Sequence, residues 1–202
     1  MKCLIPLLLF ILFPTLSYAL DFTEFGMLTY SGPRVSDPSD PSLEVSRSFS
    51  WGGGITLGFK VFQKIDIEPG IIYGGSAFST TSNQAPNTDY SMTHAHFPLV
   101  VRYWLSDVFS AGGGVYYTHG TGNINITQNG ITDVKGYNDL LWNTDDIGFV
   151  MSLRFRSPIN DLMSFVIDGR FLLGTRNMDN SETGKSFMTR EFQGLAGIAF
   201  IL

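Results

Sequence analysis

Cysteine is almost missing from this chain of 202 residues: Cys3 is the only one. It stands ahead of the first apolar run, where it cannot be the lipid-accepting cysteine of a lipoprotein. The rest of the chain has neither a disulfide framework nor a thiolate metal site available to it. Charge is scarce too, at 15% of residues. The 13 Lys+Arg against 18 Asp+Glu leave a net −5, so there is no basic excess for a nucleic-acid partner. Long hydrophobic runs are the third absence. After residue 20 nothing approaches the roughly 20 consecutive apolar residues of a membrane helix. Yet 44% of the chain is hydrophobic and 14% aromatic, with 22 glycines and 17 phenylalanines, which excludes disorder. So much apolar surface needs another destination.

Residues 1–19 account for part of it. Met1-Lys2-Cys3 precedes an almost wholly apolar run from Leu4 to Leu16, and Ser17-Tyr18-Ala19 supplies small residues at both positions a signal peptidase reads. A short positive start, an apolar core and a small-x-small exit describe a secretory signal peptide. The expected mature domain is 20–202.

The remainder alternates with period two. From Phe49, apolar residues fall at Phe49, Trp51, Ile55, Leu57, Phe59 and Val61, opposed by Ser50, Gly52, Gly54, Thr56 and Gly58. Successive strand side chains point to opposite faces, so this is a strand with one greasy face and one small, polar face. The pattern recurs at Ile65–Tyr73, Phe97–Tyr103, Phe109–Tyr117, Ile147–Phe155, Phe165–Phe171 and Phe192–Leu202, which makes seven strands. An eighth lies near Phe22–Tyr30, with its phase open: Phe25 and Met27 share one face, while Leu28 and Tyr30 share the face of Glu24.

Long and short connections alternate strictly. Ser31–Ser46, Phe78–Ser91, His119–Asp145 and Gly174–Ser186 are long; those at Gln63-Lys64, Ser106-Asp107 and Ser157–Asp161 are short. An antiparallel up-and-down barrel in an outer membrane has short periplasmic turns and long external loops, and eight strands put both termini in the periplasm. A soluble eight-stranded barrel alternates as well, but its outward face must be polar. Here the face opposite the apolar one is Gly, Ser, Ala and Thr, interrupted by Glu68, Arg102, Arg154, Asp168 and Arg170. That composition suits a narrow interior. The apolar face is nearly free of charge, as lipid contact demands, since Arg or Lys at mid-bilayer costs about 2–4 kcal/mol. Trp51, Tyr73 and Tyr117 near the long loops, and Phe59, Tyr103, Phe109 and Phe155 near the short turns, match two aromatic girdles.

Taken in order, several pieces resemble the small eight-stranded outer-membrane β-barrels of Gram-negative bacteria, the family of OmpX- and OmpA-type transmembrane domains. They are the hairpin Trp51–Gly75 with Ile67-Glu68-Pro69-Gly70, the strand His96–Tyr103, the stretch Ser106–Tyr117 with Gly112-Gly113-Gly114, Asp146–Phe149 and the C-terminal amphipathic strand. The resemblance covers essentially the whole mature chain. It implies that Glu68, Arg102, Arg154, Asp168 and Arg170 form a salt-bridge network plugging the lumen. It also implies contact with outer-membrane lipid and lipopolysaccharide, and with the barrel-assembly machinery during biogenesis. Such chains usually end in an aromatic residue; this one ends in Leu202, with Phe200 two positions earlier on the same face as the expected assembly signal.

Cofactors and metals are not expected. His94 and His96 share a face, but no third ligand stands at a telling spacing. His119-Gly120-Thr121 is a poor analogue of the His and Ser of lipid A deacylases, so no enzyme activity is expected. The glycine run 112–114 lacks the Lys-Ser/Thr and helix of a phosphate loop; it relieves crowding where a sheet curves. The expected function is structural or surface interaction through four external loops. A small ion-conducting pore or a lipid A-modifying enzyme is the alternative. In loop 119–145, Ile131, Val134, Tyr137, Leu140, Leu141 and Trp142 offer contact to an extracellular partner or to the barrel rim, and the rim is the preferred reading.

Overall fold

The structure is a computed structural model and describes residues 20–36, 40, 42–83, 86–140, 142–178 and 186–202. Residues 1–19, where a signal peptide is expected, and Leu141 lie outside the described residues. Eleven strands are formed among the described residues: β1 (Leu20–Ser31), β2 (Arg34–Ser36), β3 (Glu44–Phe62), β4 (Ile65–Thr81), β5 (Thr88–Trp104), β6 (Phe109–Gln128), β7 (Ile131–Lys135), β8 (Asp145–Asn160), β9 (Met163–Gly174), β10 (Ser186–Met188) and β11 (Arg190–Ile201). Eight of them, β1, β3, β4, β5, β6, β8, β9 and β11, pair antiparallel with their neighbours in the chain. β11 returns to β1, which closes the ring. Closure leaves no open edge, the condition for strands to lie in lipid.

Chain order fixes the two ends. The connections β3–β4, β5–β6 and β8–β9 are short and share one end with the first and last described residues, where Leu202 N donates to Leu20 O at 2.9 Å. The other end carries the long connections. There the strands run well past the apolar stretches that announce them. β6 continues through Gln128 and folds back as β7, so much of 119–145 is a hairpin rather than a loop. Its turn is Asn129-Gly130, both with positive φ (51° and 79°), the conformation that Asn-Gly favours in a two-residue hairpin. β2 and β10 pair with each other and tie the first long connection to the last.

The glycine run on β6 has a packing reason. A side chain on Gly114 would land on the carbonyl oxygen of Leu99 in β5, so only hydrogen lets the two strands keep their register there.

The phase of β1 is resolved. Phe25 and Met27 point into the lumen and are buried, while Glu24 and Leu28 face outward. The interior is therefore more apolar than the small-and-charged face expected from sequence. Phe25, Met27, Ile72 and Leu195 form one buried cluster, and Val100, Tyr116, Val150 and Leu172 another. Glycines on nearby strands make room for these larger inward side chains: Gly74 of β4 faces the Met27 methyl of β1, across β3, and Gly148 of β8 the Tyr116 ring of the adjacent β6.

Candidate functional site

The lumen is a stack of layers, and the inward residues of β5 give their order. From the loop end they run Met92, His94, His96, Pro98, Val100 and Arg102, with Trp104 beside the short turn. At the short-turn end Arg156 pairs with Asp21 and lies over the Trp104 ring, whose indole donates to Asp66.

Above this lies the charge layer. Arg102 Nη2 donates to Asp168 Oδ2 at 3.0 Å and to Glu68 Oε1 at 3.4 Å. Arg154 Nη2 reaches Glu68 Oε1 at 2.8 Å and Asp168 Oδ2 at 2.9 Å. Arg170 Nη2 reaches the same two oxygens at 2.7 and 3.0 Å. Arg102, Asp168 and Glu68 are 0%, 1% and 2% exposed. All five residues expected to line the lumen thus meet in one cluster, drawn from β4, β5, β8 and β9. Three guanidiniums face two carboxylates, so one positive charge is in excess. Arg102 Nε and Arg170 Nη1 have no hydrogen-bond partner, and the Arg170 guanidinium lies 5.9 Å from the centroid of the Phe25 ring, a cation–π contact that partly compensates the excess. Ser152 and Ser110 add hydroxyls to Asp168 and Arg102.

The two apolar clusters follow, and above them a second polar layer. His94 and His96 from β5, Glu191 from β11, and Ser76 from β4 converge here, all buried. The His96 Nε2 atom is 3.4 Å from Glu191 Oε2, and His94 Nε2 is 4.0 Å from Glu191 Oε1. Glu191 was not singled out from sequence. The available signal was phase, because β11 extends two residues ahead of Gln193 and carries Glu191 onto the same inward face. Nearby, Tyr116 donates to Asp146 Oδ2 at 2.9 Å.

An aromatic lid closes the loop end. Phe78, Met92, Ile124 and Tyr137 are buried together, with Leu140, Trp142 and Met178 packed against them. Trp142 stacks on Tyr90 at 5.5 Å between centroids. Tyr137 sits directly over Gly120, where any side chain would strike its ring, and burial pushes its phenol up to about 12. Of the apolar residues in 119–145, Tyr137, Leu140 and Trp142 therefore pack on the barrel, whereas Ile131 (72%) and Val134 remain exposed. His119 lies outside, paired with Asp145 at 2.8 Å.

Outward, Trp51 (82% exposed), Tyr73 and Tyr117 lie toward the loop end, and Phe59, Tyr103, Phe109 and Phe155 toward the short turns. Phe200 faces outward beside Phe22 at 6.3 Å between ring centroids, and Leu202 is exposed just past β11.

No protein-family model matches the chain, and no curated protein matches it significantly. Among solved structures, the fold is similar to that of the outer membrane protein OprG from Pseudomonas aeruginosa: 14% identity over 92% of this chain and 97% of that one, TM-score 0.60. Neisserial surface protein A is similar at 8% identity over 91% and 97%, TM-score 0.51. The attachment invasion locus protein Ail of Yersinia pestis, solved with the heparin analogue sucrose octasulfate, is similar at 8% identity over 92% and 99%, TM-score 0.50. The fold is that of the small outer-membrane β-barrels.

Proposed function

We propose that this protein is an outer-membrane β-barrel with a side-chain-filled lumen, periplasmic termini and a surface-interaction role carried by the loop end. The observation that carries the reading is the five-residue charge layer across the lumen, nearer the short-turn end. Arg102, Glu68 and Asp168 are almost wholly buried, with apolar clusters above them, which supports a lumen filled by side chains rather than by water. The outward face supports the membrane setting. On β6 the outward rings of Phe109 and Tyr117 are eight residues apart, about 26 Å along a strand. At the usual tilt of about 35–45° the ring positions project to about 19–22 Å along the barrel axis, most of the roughly 25 Å apolar band of such barrels.

The interaction role rests on what the loop end presents. Two strand pairs, β6–β7 and β2–β10, stiffen it, and Ile131 and Val134 stand exposed beyond the rim. Lipopolysaccharide and an extracellular partner engaging 119–145 are the contacts this surface offers. Planar-bilayer recordings of the refolded protein test the sealed lumen: only baseline leak is expected, and sustained open-channel currents overturn it in favour of a pore. Mass spectrometry of lipid A from cells with and without the protein tests the enzymatic alternative. Protease treatment of intact cells, with cleavage confined to the loop end, tests the orientation.

A further inference from the structure

We propose that His94, His96 and Glu191 form a binding site for one first-row divalent transition-metal ion of the Zn2+ type, held inside the barrel beneath the aromatic lid. The site goes beyond the sealed-barrel reading, and it stands or falls separately from conductance.

The donor set comes from two strands that are not neighbours. β5 supplies both imidazoles and β11 the carboxylate, with β4, β3 and β1 between them along the ring. One ligand atom from each residue lies within 4.8 Å of the others. Tetrahedral coordination with bonds of about 2.0–2.1 Å places ligand atoms about 3.3–3.4 Å apart. The separation of His96 Nε2 from Glu191 Oε2, 3.4 Å, already meets this; His94 Nε2 stands 4.0 Å from the other carboxylate oxygen, Oε1, so the carboxylate spans the gap between the two imidazoles.

Hydrogen bonding shows why a cation belongs between them. The Ser76 hydroxyl donates its one proton to Glu191 Oε1. Its contact with His94 Nδ1, at 3.4 Å, must then be one in which Nδ1–H is the donor. That fixes the tautomer of His94, with a bare lone pair on Nε2. His94 Nε2 is buried without a hydrogen-bond partner and faces a carboxylate oxygen, acceptor to acceptor. His96 is held similarly: its Nδ1 shares a hydrogen bond with Thr118 Oγ1, in which either atom can be the donor, and its Nε2 is buried without a hydrogen-bond partner, 3.4 Å from Glu191 Oε2. Two imidazoles, each anchored through one nitrogen by a hydroxyl with the other nitrogen free, are oriented as metal-ligating histidines are. Glu191 is braced in turn by Ser76 and by Gln193 Nε2 at 3.2 Å.

Three protein ligands leave room for a fourth. A cavity of about 50 Å³ adjoins His94, His96 and Glu191, enough for at least one water. Asp146 lines the same cavity, and its Oδ1 is buried with no partner, an acceptor for a metal-bound water. Imidazole with carboxylate suits Zn2+, Co2+, Ni2+ or Fe2+ far better than Mg2+ or Ca2+, which prefer all-oxygen shells.

The test uses the barrel refolded in detergent micelles without a polyhistidine tag, titrated calorimetrically with Zn2+, Co2+ and Mg2+. The expected result is one Zn2+ or Co2+ per chain, visible Co2+ d–d bands, no Mg2+ uptake, and a higher temperature for loss of the compact gel band in Zn2+. Glu191→Gln and His96→Gln weaken Zn2+ binding by more than about 100-fold, while His119→Gln on the outer surface leaves it unchanged. Failure of the wild-type barrel to bind Zn2+ or Co2+, or undiminished binding in the His94→Gln/His96→Gln double variant, overturns the proposal. Should the variants not refold, the wild-type barrel decides. Co2+ must give strongly contact-shifted ring N–H resonances from His94 and His96, far outside the diamagnetic range, and the absence of those resonances overturns the site.

Discussion

Arg154 Nη2 donates to Glu68 Oε1 at 2.8 Å across 86 residues of sequence, joining β8 to β4 through the lumen. The bond belongs to a cluster with one more guanidinium than carboxylate, and that imbalance makes the two signs unequal in value. Glu68→Gln leaves three arginines facing one carboxylate and is expected to destabilise the barrel strongly, by about 3–5 kcal/mol, the usual cost of stranding a buried charge. Arg154→Met leaves two of each sign and costs less. Urea unfolding of the refolded variants in micelles reads the order, and an equal or reversed order removes the charge-excess argument.

Glycine is essential at inward position 114 and dispensable at outward position 26. Gly114→Val drives its side chain into the Leu99 carbonyl, an overpacking expected to cost at least about 1–3 kcal/mol. Its folded, heat-shifted gel band should be lost or much weakened. A side chain on Gly26 meets nothing within 4 Å, so Gly26→Ala should give a normal band. Equal yields of folded barrel from the two variants contradict the register described for β5 and β6.

The aromatic lid carries an alkaline limit. The Tyr137 phenol donates to Thr93 O at 3.3 Å, and its folded value is raised to about 12 against about 10 for an unperturbed tyrosine. Because the folded value is the higher one, docking is fully stabilised below about pH 10 and loses that stabilisation as pH rises towards 12. Proteolysis of 129–145 should therefore accelerate over that interval in the wild type. In Tyr137→Phe, which keeps the ring over Gly120, the pH-dependent step should vanish. A step of unchanged size in the variant assigns it elsewhere.

Trp142 tests whether the lid is separable from the barrel. It stacks on Tyr90 and Phe78 and lies 5.9 Å from Phe187, measured between ring centroids, bridging the long β6–β8 connection to the last one. Trp142→Ala should make the loop end markedly more protease-sensitive while the heat-modifiable mobility of the barrel stays as in the wild type. Loss of both together means that the lid and the barrel fold as one unit.

The sequence by itself determined the closed eight-stranded architecture, the face that turns outward and the identity of the charged lumen residues. Period two is a local property: any strand with Phe149, Met151 and Leu153 on one side and Ser152 and Arg154 on the other must show lipid and lumen different faces. Strand lengths were less legible, because outside the apolar band the ladder continues on backbone hydrogen bonds alone. Hence β6 beyond His119 and the whole of β7 are built from residues that read as a loop, although Asn129-Gly130 marks their turn. Only the tertiary structure decided which inward residues share a level. That depends on strand stagger around the ring, which places Glu191 of β11 opposite His94 and His96 of β5, and packs Phe25 against the excess positive charge. Local alternation says which way a side chain points; the register of all eight strands decides what it meets.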